Sequence, residues 1–188
     1  MRGVLRETWH QLRWALPVWL LGLLTNWWPN NRVTIRLRGL LFRPFFKRCG
    51  KGIAVASGVT LLNTHNIEIG ENVYLSYFAW LNGLGGLTLE DEVIVGPFVT
   101  ISTLAHCRRA GSFARGGGDS GPVRIGRGSW LAAHASVAYG VTVGRGCLVA
   151  ANAAVTKDIP DNTMAGGVPA RPLGPCVDRP ATLHRRCG

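Results

Sequence analysis

Aliphatic side chains recur along the middle of this chain at steps of six residues. The first run is Val55 and Leu61, and the next is Ile69, Leu75 and Leu81. Leu89, Val95 and Ile101 follow, and the longest run is Ile125, Leu131, Val137, Val143, Val149 and Val155. The residue two places before each of these is also apolar, from Ile53 and Val59 to Cys147 and Ala153, with Ser129 the one polar exception. The residue just after is usually small, as at Gly70, Gly96, Gly126, Ala132, Gly144 and Ala150. A helix needs a period of 3.6, and a plain amphipathic strand needs a period of two without regular corners. A period of six fits short strands joined by corners. Each key aliphatic points inward, its predecessor points outward, and the small residue after it lets the chain turn. Stacked turns of this kind bury one continuous apolar column.

The breaks in the period are informative. Leu61 to Ile69 and Leu81 to Leu89 are steps of eight, each gaining two residues. Ile101 to Ile125 is a step of 24, which throws 18 residues beyond one hexad outward. That excursion, residues 103–121, contains Leu104-Ala105-His106-Cys107-Arg108-Arg109 and then Gly116-Gly117-Gly118-Asp119-Ser120-Gly121. A long loop on a rigid scaffold is a usual place for function, and the glycines suggest a mobile lid.

Before the repeat lies a different kind of sequence. Leu5, Trp9, Leu12, Leu16, Trp19 and Leu23 fall on one helical face, with Arg2, Arg6 and Arg13 beside it. Arg32, Arg36, Arg38, Arg43, Lys47 and Arg48 then alternate with Leu40, Leu41, Phe42, Phe45 and Phe46. The expected organisation is a helical, apolar and basic appendage over residues 1–49, a repeat domain over 50–174, and a tail over 175–188.

Charge follows the same division. Residues 1–50 hold nine Lys/Arg and one acid, for +8; residues 51–175 hold nine and eight, for +1; the last 13 hold three and one, for +2. A nucleic-acid binder carries its basic stripe on the folded body, so the nearly neutral repeat domain argues against nucleic acid. The Trp- and Arg-rich appendage reads instead as membrane-surface chemistry. The apolar run at residues 14–28 is about 22 Å long as a helix, short of the roughly 20 residues a span needs. A signal peptide would end in a small-x-small site, and only Thr25-Asn26-Trp27-Trp28-Pro29 follows. Packing of this segment over the open end of the repeat domain is the alternative.

The five cysteines, Cys49, Cys107, Cys147, Cys176 and Cys187, are odd in number and widely spaced. This reads as a reduced, cytosolic chain with no disulfide framework and no metal cluster. Cys107 is not read as a nucleophile, because adjacent side chains in an extended pair point apart from each other.

The hexads, with Val99-Thr100-Ile101-Ser102-Thr103-Leu104-Ala105-His106, Pro122-Val123-Arg124-Ile125-Gly126-Arg127-Gly128-Ser129-Trp130-Leu131, and Val155-Thr156-Lys157-Asp158-Ile159-Pro160 before Ala165-Gly166-Gly167-Val168-Pro169-Ala170-Arg171, resemble the hexapeptide-repeat acyltransferases. The resemblance is closest to the galactoside, maltose and colanic-acid types, and covers about residues 50–174. It implies an all-β fold, a left-handed parallel β-helix with an N-terminal helical appendage. Handedness comes from the resemblance alone, since parallel crossovers are otherwise right-handed. It implies an acetyl-CoA-dependent O-acetyltransferase acting on a saccharide hydroxyl, in surface polysaccharide or glycan synthesis. The implied state is a cytoplasmic homotrimer; a lipid-linked acceptor would place the enzyme on the inner membrane face.

The same resemblance assigns residues. His106 matches the general base at the start of the extruded loop, and Asn82 matches an active-site asparagine that binds acceptor or oxyanion. Ala132, Ala133, Ala150 and Ala151 match the coenzyme A groove between subunits, and Lys157 and Arg171 match basic positions near its phosphates. Several relatives have Gly-Ala-Gly-Ser where this chain has Ala150-Ala151-Asn152-Ala153. Trp130 matches a tryptophan slot whose role is packing. His10, His65, His134 and His184 read as surface residues. A non-catalytic scaffold, a serine acetyltransferase and an amino-sugar N-acyltransferase are the other readings; a scaffold has no need of His106 or the extruded loop.

Overall fold

The computed structural model describes residues 8–178, so Arg2, Leu5, Arg6, His184, Cys187 and most of the tail lie outside the described residues. The period of six is the period of the strands. Every coil contributes one short strand to each of three parallel sheets, which form the faces of a prism. The first face holds Arg48–Cys49, Ile67–Ile69, Leu87–Leu89, Val123–Ile125 and Thr142–Val143. The second holds Ala54–Val55, Tyr74–Leu75, Ile94–Val95, Trp130–Leu131, Leu148–Val149 and Thr163–Gly166, with Arg171–Pro175 returning antiparallel at its end. The third holds Thr60–Leu62, Trp80–Asn82, Thr100–Ser102, Ser136–Val137 and Ala154–Val155.

Register explains the core. Leu61, Leu81, Ile101, Val137 and Val155 stand directly above one another, as do Val55, Leu75, Val95, Leu131 and Val149. All the key aliphatics of the hexads are buried. Ser129 is tolerated among them because its hydroxyl donates to the Gly144 carbonyl (2.7 Å) and accepts from Cys147 N–H (2.9 Å). A buried hydroxyl with both roles filled escapes most of the desolvation cost.

The outward positions differ from face to face. The first face shows Arg48, Glu68, Thr88, Arg124 and Thr142, with Glu68 paired to Lys47 and Arg48, and Glu90 paired to Arg124. The second shows Tyr74, Ile94, Trp130, Leu148 and Met164, an apolar stripe. Trp130 stands in this stripe, 48% exposed on the outer surface of the single chain.

The segment before the prism is helical. A helix starting at residue 8 passes through a π-helical stretch, Gln11–Ala15, and continues as helix α1, Leu16–Thr25. Pro17 lacks an N–H and crowds the preceding turn, and it falls just after the wider π-turn. Helix α2, Arg32–Phe42, opens with a capping box: the Asn31 side chain accepts from Val33 and Thr34 N–H, and Thr34 answers at the Asn31 N–H. Phe42 and Phe46 enter the core and α2 covers the first strand of the second face, so this part caps the open end.

Arg38 is the pin of that cap. Its place in a run of basic residues predicts a surface position, but it is 1% exposed. Its guanidinium donates to the Val55 carbonyl (2.7 Å), the Thr25 carbonyl (2.9 Å) and Asn30 Oδ1 (3.1 Å). Carbonyls at the C-terminal end of α1 carry partial negative charge, and Thr25 O accepts from both Arg38 and Trp28 N–H (3.1 Å), so an arginine there joins α1, α2 and the first coil at one point. Lys47 and Arg48 are engaged with Glu68, which leaves fewer free cations than the sequence alone implies.

The amphipathic stripe of the first helix behaves differently from a core stripe. Trp9, Leu12, Leu16, Trp19 and Leu23 are 42% to 68% exposed, while Val18 and Thr25 face the body. Among the described residues, no helix is long and apolar enough to cross a membrane.

Candidate active site

The three breaks in the hexad rhythm fall at one edge of the prism, where the third face turns into the first. Each follows a strand of the third face, and Leu62, Asn82 and Ser102 end those strands in register. The extra residues after Leu62 make a short 3-10 turn, Thr64–Asn66, entered through Asn63 at φ 55°. The extra residues after Ser102 make the large excursion. This is the loop edge.

The excursion is an antiparallel ribbon at its base. Leu104–His106 pairs with Gly118–Ser120, with Leu104 opposite Ser120 and His106 opposite Gly118. The glycines have a packing reason: a Cβ on Gly116 would collide with the Cys107 carbonyl, and Gly117 sits at φ 75°. His106 thus stands at the outer end of a short ladder, exposed. Among the described residues its imidazole makes no hydrogen bond.

Asn82 lies at the foot of this ribbon and is 7% exposed. Its Oδ1 accepts from Asn63 Nδ2 (2.8 Å) and from Leu84 N–H (3.1 Å). A backbone N–H only donates, so the Leu84 contact fixes which amide atom is the oxygen. The Nδ2 group then points elsewhere and, among the described residues, has no acceptor. Thr103, fully buried, donates to the Asn82 carbonyl (2.8 Å) and accepts from Gly85 N–H (2.8 Å), while Ser102 Oγ donates to the Leu104 carbonyl (2.8 Å). These residues tie Asn82 to the start of the ribbon. The sequence reading missed Asn63, Ser102 and Thr103, although the two steps of eight already marked this edge.

The alanines occupy the other edge of the third face, where the second face turns into it. Ala132 and Ala133 follow Trp130–Leu131, and Ala150 and Ala151 follow Leu148–Val149 one coil below. Ala132 and Ala150 N–H groups serve the ladder, to Val149 O (2.9 Å) and Ala165 O (2.8 Å). The Ala133 and Ala151 N–H groups have no partner among the described residues. Two open donors in adjacent coils, about 4.8 Å apart and flanked by methyl groups, form a shallow track that suits the amide carbonyls of a pantetheine arm. Arg171 joins this edge: it pairs with Gly166, where a side chain would meet the Ala150 methyl group. Phe78, Phe98 and His134 extend the same edge upward, each at positive φ, with ring stacking at 5.1 and 4.8 Å.

Lys157 is not there. It comes two residues after the strand Ala154–Val155, at the loop edge, one residue past the position in line with Asn82 and Ser102. One chain therefore keeps His106, Asn82 and Lys157 at one edge and the alanines with Arg171 at the other. Crossing the third face takes about five residues, roughly 16 Å at 3.3 Å per residue. Among the described residues, no group of three or more His, Cys, Asp or Glu could hold a metal ion.

Comparison with known proteins gives the family and the fold. The family profile "Bacterial transferase hexapeptide (six repeats)" matches residues 122–157. Galactoside O-acetyltransferase of Escherichia coli is 32% identical over 145 residues, 77% of this chain and 71% of that protein. An E. coli protein described as a candidate colanic acid biosynthesis acetyltransferase is 28% identical over 160 residues, 85% of this chain and 83% of that one. A hexapeptide-repeat acetyltransferase of Vibrio cholerae, solved with acetyl coenzyme A, superposes with a TM-score of 0.75 at 26% identity, over 86% of this chain and 86% of that one. A solenoid does not superpose on its mirror image, so this chain winds in the same sense as those relatives. By fold, repeat and likeness over most of both chains, the protein belongs to the hexapeptide-repeat acyltransferases and is an acetyl-CoA-dependent acetyltransferase.

Proposed function

We propose that the acetyl acceptor is a saccharide hydroxyl and that the loop edge is where it reacts. The observation that carries this reading is that Asn82, whose Nδ2 is an uncommitted donor on a buried, braced side chain, lies at the foot of the hydrogen-bonded ribbon that ends in His106. A sugar hydroxyl is a weak nucleophile. The His106 imidazole takes its proton as the oxygen attacks the thioester carbonyl carbon, and the carbonyl electrons move onto oxygen. Asn82 Nδ2 donates to that oxyanion or to a neighbouring acceptor hydroxyl. The C–S bond then breaks, the thiolate takes the proton from His106, and the acetyl ester leaves. No covalent enzyme intermediate is needed. The E. coli relatives, one a galactoside enzyme and one tied to colanic acid by its description, support a saccharide acceptor and a role in surface glycan synthesis. The test is transfer of labelled acetyl from acetyl-CoA to a panel of sugars and glycolipids; transfer to amines alone would overturn the reading.

The same proposal includes a homotrimer. The two edges of one chain are a face apart, and a neighbour seated on the apolar stripe Tyr74, Ile94, Trp130, Leu148 and Met164 would set its loop edge against the alanine track. A ring closed by such head-to-tail contacts repeats the site at every interface. Ala132, Ala133, Ala150, Ala151 and Arg171 of one subunit would hold coenzyme A, with Lys157 at its phosphates from the facing edge. Light scattering of active protein is expected to give about three times the 20.3 kDa chain mass; an active monomer would overturn the shared site.

We also propose that the N-terminal segment rests on the cytoplasmic face of an anionic membrane. The outward Trp and Leu stripe and the exposed Arg13, Arg32 and Arg36 support it. Each cation near such a surface contributes about 1 kcal/mol, and three copies add avidity. Full-length protein is expected to pellet with anionic vesicles and not with neutral ones. Protein that stays in the supernatant with both would leave the segment with its capping role alone.

A further inference from the structure

The first helix does not close down on the prism along its whole length. Between it and the first coil runs an open groove of about 840 Å³. One wall is the outward stripe, Leu12, Leu16, Trp19 and Leu23; the other is the strand Thr60–Leu62, with Phe42 and Val59 beneath. The groove ends at Asn63 and Thr64, and Asn63 is the residue that donates to Asn82 Oδ1 at 2.8 Å. The channel therefore leads to the loop edge, where His10, Gln11, Asn63 and Thr64 make its lining polar, while Asn26, the amide that lines it elsewhere, accepts from Gly58 N–H (2.9 Å).

We infer that this groove holds an aliphatic chain carried by the saccharide acceptor, so that the enzyme takes a glycolipid rather than a free sugar. The inference rests on the saccharide reading above and adds the chemistry of the acceptor's other end. Polarity decides the orientation: the tail lies along the leucines and tryptophans, and the head meets Asn63 and Asn82. The volume falls within the usual range for a site that encloses most of a small ligand, which is about 300–1,000 Å³. The donor is not the source of the chain, because the acetyl group has no tail. Charge at the mouth fits a phosphate-linked head: the Arg13 guanidinium lies 4.4 Å over the Trp14 ring, and Trp14 lines the groove. The arrangement also accounts for an apolar stripe that faces outward on a helix otherwise docked on the body.

Gly22 makes the groove testable. It lines the groove, and a Cβ built there meets nothing within 4 Å. Gly22→Phe should fill the channel without disturbing the fold, since any residue but proline is a better helix former than glycine. The probes are methyl, hexyl and decyl glucosides below their micelle concentrations, followed by tryptophan fluorescence, because Trp14 and Trp19 lie in the groove wall. Each methylene taken fully out of water tightens binding roughly four-fold. Decyl glucoside is expected to bind wild type at least about 10-fold tighter than hexyl glucoside, on a conservative share of that burial, and methyl glucoside should leave the fluorescence unchanged. Gly22→Phe should lose the chain-length dependence and keep wild-type acetylation of a short acceptor. Leu23→Gln, at a side chain already 49% exposed, gives a second reading should the first variant fold poorly. Equal binding of all three glucosides, or full decyl binding by both variants, overturns the groove. In the transfer assay, a methyl glycoside acetylated as well as its decyl counterpart overturns the glycolipid inference and leaves the saccharide reading standing. Decyl binding without transfer to any sugar overturns the saccharide reading, and with it the link from groove to acceptor.

Discussion

His106→Ala is expected to lower kcat by about 10²–10⁴-fold, the usual contribution of a positioned general base, with the fold and assembly unchanged. Both halves of that expectation come from the position of the residue. His106 ends the strand Leu104–His106, opposite Gly118, and its ring is exposed. The ladder is made by the backbone, so alanine keeps it. Among the described residues the imidazole makes no hydrogen bond, so its removal leaves no buried partner unsatisfied. An effect on turnover from such a side chain has to come from chemistry. The check is kcat with the acceptor found in the sugar panel, alongside thermal unfolding and light scattering of the same preparation. A variant with wild-type kcat would remove His106 from the mechanism.

Asn82→Asp is expected to lower kcat by about 10²–10³-fold, the range found when one oxyanion donor is lost. Aspartate keeps an oxygen where Asn63 Nδ2 and Leu84 N–H now donate, at 2.8 and 3.1 Å, so the brace under the ribbon survives. What changes is the other atom of the head group. The N–H₂ donor becomes a second oxygen, and negative charge then faces a carbonyl that must itself become negative. Both effects act on the transition state more than on ground-state binding, so kcat should fall with little change in KM. Asn82→Ala is the less informative change, because it also strips the brace from Asn63 and Leu84. An Asn82→Asp enzyme with wild-type kcat and altered KM would make this residue a binding group only.

Ser129 and Arg38 show how far a pattern in the sequence reaches. Ser129 breaks the apolar column in sequence, yet the column was legible because every other member agreed. The reason for the exception, a hydroxyl shared between Gly144 O and Cys147 N–H, needed the next coil in place. Arg38 sits in a run of basic residues at helical spacing, and charge alone put it on the surface. Only the meeting of α1, α2 and the first coil created three carbonyl and amide oxygens able to solvate a guanidinium inside.

Period and spacing alone dictate the solenoid, the inward columns and the place of the extruded loop. A repeat of six residues lets every key aliphatic share one core when the chain winds into a solenoid of either hand, and an insertion that interrupts it must leave the prism. His106 and Asn82 were also legible before folding, through likeness to a family. The edge that each residue occupies came only with the folded chain, because periodicity says that a side chain points in or out but not on which of three faces. Hence the alanines and Arg171 lie across a face from His106, Asn82 and Lys157, and Asn63, distant from Asn82 in sequence, became its partner. The first helix makes the same point. Its spacing placed Leu12, Leu16, Trp19 and Leu23 on one side, but what a helical face meets depends on the body it docks against, and here that face was left to line an open groove.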